Sequence, residues 1–164
     1  VHPNSTHGVL IRVYPVNSFQ GQFKRELDDR APRLSGIARV IVAVEDIAHA
    51  VEVYGGKFKL PMANIEDDAA RGVYAAICRP PTGGAIELVA VKDASRPFAS
   101  AVARHLHEQR EGMYALVLQS PDLPATAAAL AGHGINVSPA GDDPEVLEVP
   151  RADAFGALIR IEAA

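Results

Sequence analysis

Residues 36–47, Gly-Ile-Ala-Arg-Val-Ile-Val-Ala-Val-Glu-Asp-Ile, carry a strand directly into a helix. From Ile37 to Val44 the run is rich in β-branched residues and bounded by Gly36 and Glu45-Asp46, which reads as a buried strand. Ile47, Ala50, Val51 and Tyr54 then fall at i, i+3, i+4 and i+7. That spacing puts them on one helical face, with Asp46 placed to cap it and Gly55-Gly56 to stop it. Two strands follow, 73–79 and 85–91, joined by the turn-rich Arg79-Pro-Pro-Thr-Gly-Gly84. A weaker strand near 62–66 precedes them.

The order then recurs. Residues 113–119 read as a strand, and Asp122 caps a helix from 123 to about 131 with Pro124 in its first turn, where proline is tolerated. Short strands are expected at 134–139, 144–149 and 157–162. The pattern β-α-β-β-β therefore appears twice, over 36–92 and 112–164, around a connector (93–111) with a helix at 96–109. Residues 1–13 also line up without gaps on 149–161, sharing Gly-x-Leu-Ile-Arg. On that echo, 1–16 is the closing strand of a further module, or a strand swapped into a neighbouring chain, and 17–35 is a polar linker.

Composition bounds the function. The 164 residues are 48% apolar and 22% charged, with a net charge of −4 and no basic stripe. A nucleic-acid partner is not expected, because backbone binding needs clustered Lys and Arg. No apolar run approaches the ~20 residues of a membrane span, and no signal-peptide pattern opens the chain. The single cysteine, Cys78, excludes an internal disulfide and fits a reducing, cytoplasmic setting. The chain opens on Val1 and not Met, so residue 1 is not expected to be a first-codon product.

The stretch 36–47 resembles the opening strand of vicinal-oxygen-chelate modules, the group of glyoxalases, bleomycin-resistance proteins and ring-cleaving dioxygenases. Val53-Tyr-Gly-Gly-Lys-Phe-Lys-Leu-Pro61 is similar to that family's FYxxxLGLP helix end, Gly84-Ala-Ile-Glu-Leu-Val89 to its metal-side strand, and Gly112–Leu123 to the second module's opening. The resemblance covers about 36–162, and the layout is closest to methylmalonyl-CoA epimerase-like proteins. It implies an α+β fold of paired βαβββ modules forming a cup-shaped, partly closed mixed sheet. It says little about the reaction, because one fold hosts many functions.

In that family up to four side chains converge on a divalent metal in the cup. Carried over position by position, the first module's opening-strand histidine falls at Arg39 and its closing-strand ligand at Glu87. The second module's histidine falls at Ala115 and its closing carboxylate at Arg160; the N-terminal echo puts Arg12 at the same place. Arginine stays protonated and has no lone pair to donate, and alanine offers nothing. The expectation is no metal, no other cofactor and no catalytic residue that can be named.

Period-two geometry gives an independent view of the same residues. Arg39 shares a strand face with Ile37, Ile41 and Ala43; Glu87 with Ala85, Val89 and Val91; Arg160 with Leu158 and Glu162. Charges amid apolar neighbours need partners, which Arg39, Glu87 and Arg160 can supply among themselves. Two readings stay open: an ion-pair cluster filling an abandoned metal site, or surplus arginine charge that holds a carboxylate or phosphate.

Other candidates are weaker. His105 and His107, two apart on the connector helix, lack the i, i+4 spacing of a helical metal pair and read as exposed. His49 and His133 read as surface, and His2 and His7 as flanking a turn. Glu108 and Glu111 read as solvated, and Cys78 as a packed thiol. The expected protein binds a small molecule, anionic on the arginine reading, without metal catalysis, as a homodimer. The alternative is part of a longer metal-dependent lyase, epimerase or dioxygenase whose active site lies in another module. A third reading is a structural module that completes a catalytic one.

Overall fold

The structure is a computed structural model and describes residues 2–10, 33–80 and 84–164. In chain order the elements are β1 (Gly36–Ala43), α1 (Ile47–Val51), β2 (Glu66–Asp68), β3 (Val73–Cys78), β4 (Ala85–Val91), α2 (Pro97–Gln109), β5 (Gly112–Ser120), α3 (Leu123–Gly132), β6 (Ser138–Pro139), β7 (Leu147–Val149) and β8 (Ile159–Ala163). They form the doubled β-α-β-β-β order that the sequence repeats.

One eight-stranded mixed sheet runs β2-β3-β4-β1-β5-β8-β7-β6. Its two halves are mirror-ordered about the antiparallel β1–β5 pair, and within each half the opening strand lies parallel to the closing one, β1 to β4 and β5 to β8. The sheet is not closed: β2 and β6 are its edges. β6 carries Pro139, which an edge tolerates because no ladder bond is lost there.

The continuous apolar run of β1 follows from burial on both faces. Ile41 and Ala43 pack with Val89, Val117 and the α2 residues Phe98, Ala99 and Val102. Val42 and Val44 face the other way, against Ala50, Val53 and Tyr54. A separate cluster joins Leu130 of α3 to Val149 and Ile161. So α1 and α3 cover the outside of the cup, and α2 covers part of its inside.

Boundaries differ where tertiary contacts override local signals. Gly55-Gly56 does not end the first helix; winding continues beyond α1 as a π-helix over Glu52–Lys57. A Cβ at Gly55 would stand 3.1 Å from Met62, so this glycine admits the returning chain and does not break the helix. The expected strand near 62–66 is a single bridge, Met62 to Cys78, followed by β2. The segments expected at 134–139 and 144–149 shrink to β6 and β7. Of the expected strand at 8–14, Gly8 lies in a turn, Val9 and Leu10 are in no strand, and the remainder lies outside the described residues, as does most of the linker.

The N-terminal turn is nonetheless docked. Tyr54 donates its hydroxyl to the Thr6 carbonyl at 3.1 Å, and burial, with Glu111 adding, raises that phenol to about 12. His7 is buried with Nδ1 2.8 Å from Glu111, and Val9 packs on the α1 cluster. The expected solvated Glu111 is therefore corrected: it is the partner of His7, which lies in the turn. Burial raises the Cys78 thiol, as a packed cysteine requires.

Candidate functional site in the cup

Strand register brings together the positions singled out from the sequence. Ile41 pairs with Glu87 across β1–β4, and Val117 pairs with Arg160 across β5–β8, while Arg39 pairs with Val117 and Ile41 with Ala115 across β1–β5. The four middle strands thus carry Arg39, Glu87, Ala115 and Arg160 in equivalent registers of the two modules. Arg12 lies outside the described residues.

Glu87 is 5% exposed, and both of its oxygens are taken. Arg39 donates Nε to Oε2 at 2.9 Å, and Arg71 donates to Oε1. Arg39 also donates Nη1 to both oxygens of Glu162, each at 2.8 Å. Arg160, also 5% exposed, does not join this group as expected; it donates to Asp142 at 2.9 Å. The reason is reach and supply. Arg39 and Arg71 already take one oxygen each of Glu87, and the loop after β6 brings Asp142 to the other side of the cup.

Arg71 had no signal of periodicity to announce it. A tight turn positions it: Asp68 accepts from the Arg71 backbone N–H at 3.0 Å and from its Nε at 2.6 Å. Gly72 follows at φ +73°, where a Cβ would lie 2.6 Å from the Asp93 carbonyl, so only glycine fits. The Arg71 carbonyl accepts from Ala99, satisfying an otherwise orphaned N–H in the first turn of α2. Burial works against the Arg71 charge, but hydrogen bonds and attraction from Glu87 and Asp68 outweigh it and hold its pKa above the ordinary value. Burial likewise opposes the Asp68 charge, and the Arg71 bonds overcome it and lower that carboxyl. The guanidiniums of Arg71 and Arg160 flank the Phe98 ring, 5.0 and 5.5 Å from its centroid, so α2 joins the two halves of the charge network.

The cup encloses about 570 Å³, within the range of small-molecule sites. Arg39, Arg71, Arg79 and Arg160 line it, opposed by Glu87, Asp142, Asp143 and Glu162. Arg79 is exposed at the rim and is the one arginine of the lining with no ion pair among the described residues. No group of three or more His, Cys, Asp and Glu that could hold a metal ion occurs among the described residues.

On the far side of α2, His105 is buried and not exposed as expected, because Phe98, Val102 and His105 form the inward face of that helix. His107 is exposed, as are His49 and His133.

No family model matches the chain, and no curated protein matches it. Solved structures do. Methylmalonyl-CoA epimerase from Mycobacterium tuberculosis superposes with a TM-score of 0.66 at 22% identity, over 84% of this chain and 93% of that one. The chain has the vicinal-oxygen-chelate fold. A hypothetical protein from Bacillus halodurans C-125 gives a TM-score of 0.66 at 19% identity, over 78% and 93%. A methylmalonyl-CoA epimerase in complex with methylmalonyl-CoA and NH4+ gives 0.63 at 21%, over 80% and 95%. The cup-shaped α+β architecture and the doubled module expected from the sequence are those of this fold. No helix of the described residues is long and apolar enough to cross a membrane.

Proposed function

We propose that this vicinal-oxygen-chelate protein binds a small carboxylate or phosphate in its cup without a metal. The observation that carries the reading is the state of Glu87. It is the one family position of four that keeps a metal-ligating side chain, and Arg39 and Arg71 occupy both of its oxygens. A divalent cation there would face two guanidiniums a few ångströms away, with Ala115 and Arg160 offering no donor. The residues do not fit a metal, so no Lewis-acid step is derived.

Anion binding rests on Arg79. The other three arginines of the lining are committed to carboxylates, whereas Arg79 stands at the mouth with its fork free among the described residues. A planar guanidinium suits bidentate capture of a carboxylate or phosphate. The solved relative that holds methylmalonyl-CoA makes carboxylated acyl-CoA thioesters a natural probe beside simple dicarboxylates. The reading also takes the protein to be a cytoplasmic homodimer. A lone buried cysteine fits the first, and Leu10 and Leu34, exposed at 54% and 40%, offer apolar surface for the second.

The test is thermal unfolding with malonate, inorganic phosphate and methylmalonyl-CoA, each in the presence of chelator. The reading expects at least one to raise the melting temperature, and Arg79→Ala to abolish the shift. No shift with any probe, or a shift that appears only when a divalent metal is restored, overturns it.

A further inference from the structure

We propose a second ligand site, beside α2 and apart from the cup, that takes a small α-amino-acid-like zwitterion. It is a cavity of about 410 Å³ between α2, Tyr114 of β5 and the β7–β8 connection. Three of its polar groups carry the site and have no partner among the described residues, and the buried Nε2 of His105 beside them has none either.

The first is Tyr114. Its side chain is nine-tenths buried, wedged edge-on between Phe98 and His105, and its hydroxyl makes no hydrogen bond with the described residues. Burial raises its pKa, so it stays a neutral donor. The second is Glu148. Register places it beside Arg160 on β8, but that guanidinium is turned to Asp142, leaving a half-buried carboxylate with no cation. The third is Arg104, exposed on α2 at the mouth with no carboxylate within ion-pair distance.

The remaining charges are used or peripheral. Arg151 braces the wall by donating to the Gly156 carbonyl at 2.9 Å, the Tyr114 carbonyl at 3.0 Å and His105 Nδ1 at 3.3 Å. Glu108 lies on the exposed rim. The site therefore offers one half-buried anion, one cation at its mouth and a hydroxyl donor. Pro97, Ala101 and Leu158 supply apolar wall. An ammonium against Glu148, a carboxylate against Arg104 and Tyr114, and an aliphatic side chain against that wall match this set.

The experiment is calorimetric titration of the full chain with L-leucine and L-methionine, with leucinamide and 4-methylpentanoate as ligands lacking one charge. Millimolar or tighter binding of an amino acid is expected, weakened at least about tenfold by loss of either charge. Glu148→Gln and Arg104→Gln should each weaken it as much, and Tyr114→Phe, which keeps the packed ring, measurably. Arg79→Ala should leave it unchanged, which separates this site from the cup. No binding at millimolar amino acid, binding that ignores the ligand's charges, or binding unaltered in Glu148→Gln overturns the proposal.

Discussion

Arg39 and Glu87 stand on adjacent parallel strands with Nε 2.9 Å from Oε2. Arg71 closes the other side of Glu87. Removing the carboxylate leaves two partly buried guanidiniums facing each other. Glu87→Gln is therefore expected to lower stability by about 3 kcal/mol, the scale for breaking a buried pair. Denaturant unfolding checks it, and an unchanged midpoint would place the network in solvent. The cost should shrink when Arg71 is already Met, because the two sites share one interaction.

The imidazole of His105 is held below the ordinary histidine pKa, first by burial and then by the Arg151 charge. In the unfolded chain it returns to about 6.5. Between those two values the unfolded state binds more protons, so stability falls as the pH drops through the interval. Melting temperatures across about pH 8 to pH 5 should fall less steeply in His105→Gln than in the parent. Identical falls would assign the acid sensitivity to other groups.

Asp122 caps α3 by accepting from the Ala125 N–H at 2.9 Å, and Ser120 supports it with a bond to the Asp122 N–H at 3.1 Å. Asp122→Ala is expected to cost about 1 kcal/mol. Chemical denaturation measures it; a cost near zero would mean water replaces the cap.

A chain beginning at Leu34 loses the partners of Tyr54 and Glu111 and uncovers the α1 cluster where Val9 packs. Its melting temperature should be lower than that of the full chain, and amide exchange should quicken around α1. Equal melting and exchange would show that the N-terminal turn adds nothing.

How far the sequence disclosed this architecture depends on which interactions are periodic. The β1 run, the Asp46 and Asp122 caps and the alternation around Glu87 are local patterns, and each leads to the observed element. The pairing of Arg39 with Glu87 follows from register, which alternation constrains. Arg71 does not: its place depends on the Asp68–Gly72 turn, although Asp-x-x-Arg-Gly was a visible sign of one. Glu162 reaches Arg39 across 123 residues, and Asp142 reaches Arg160 from a loop, so neither contact has a local signature. His105 and Glu111 read as solvated because their neighbours are supplied by β5 and by the N-terminal turn.

Elemental analysis after incubation with Zn, Mn, Co, Ni and Fe salts and desalting tests the central claim most directly. The ion-pair network around Glu87 predicts no stoichiometric metal in the parent protein and none in Glu87→Ala. Close to one metal per chain, lost in Glu87→Ala, would contradict it.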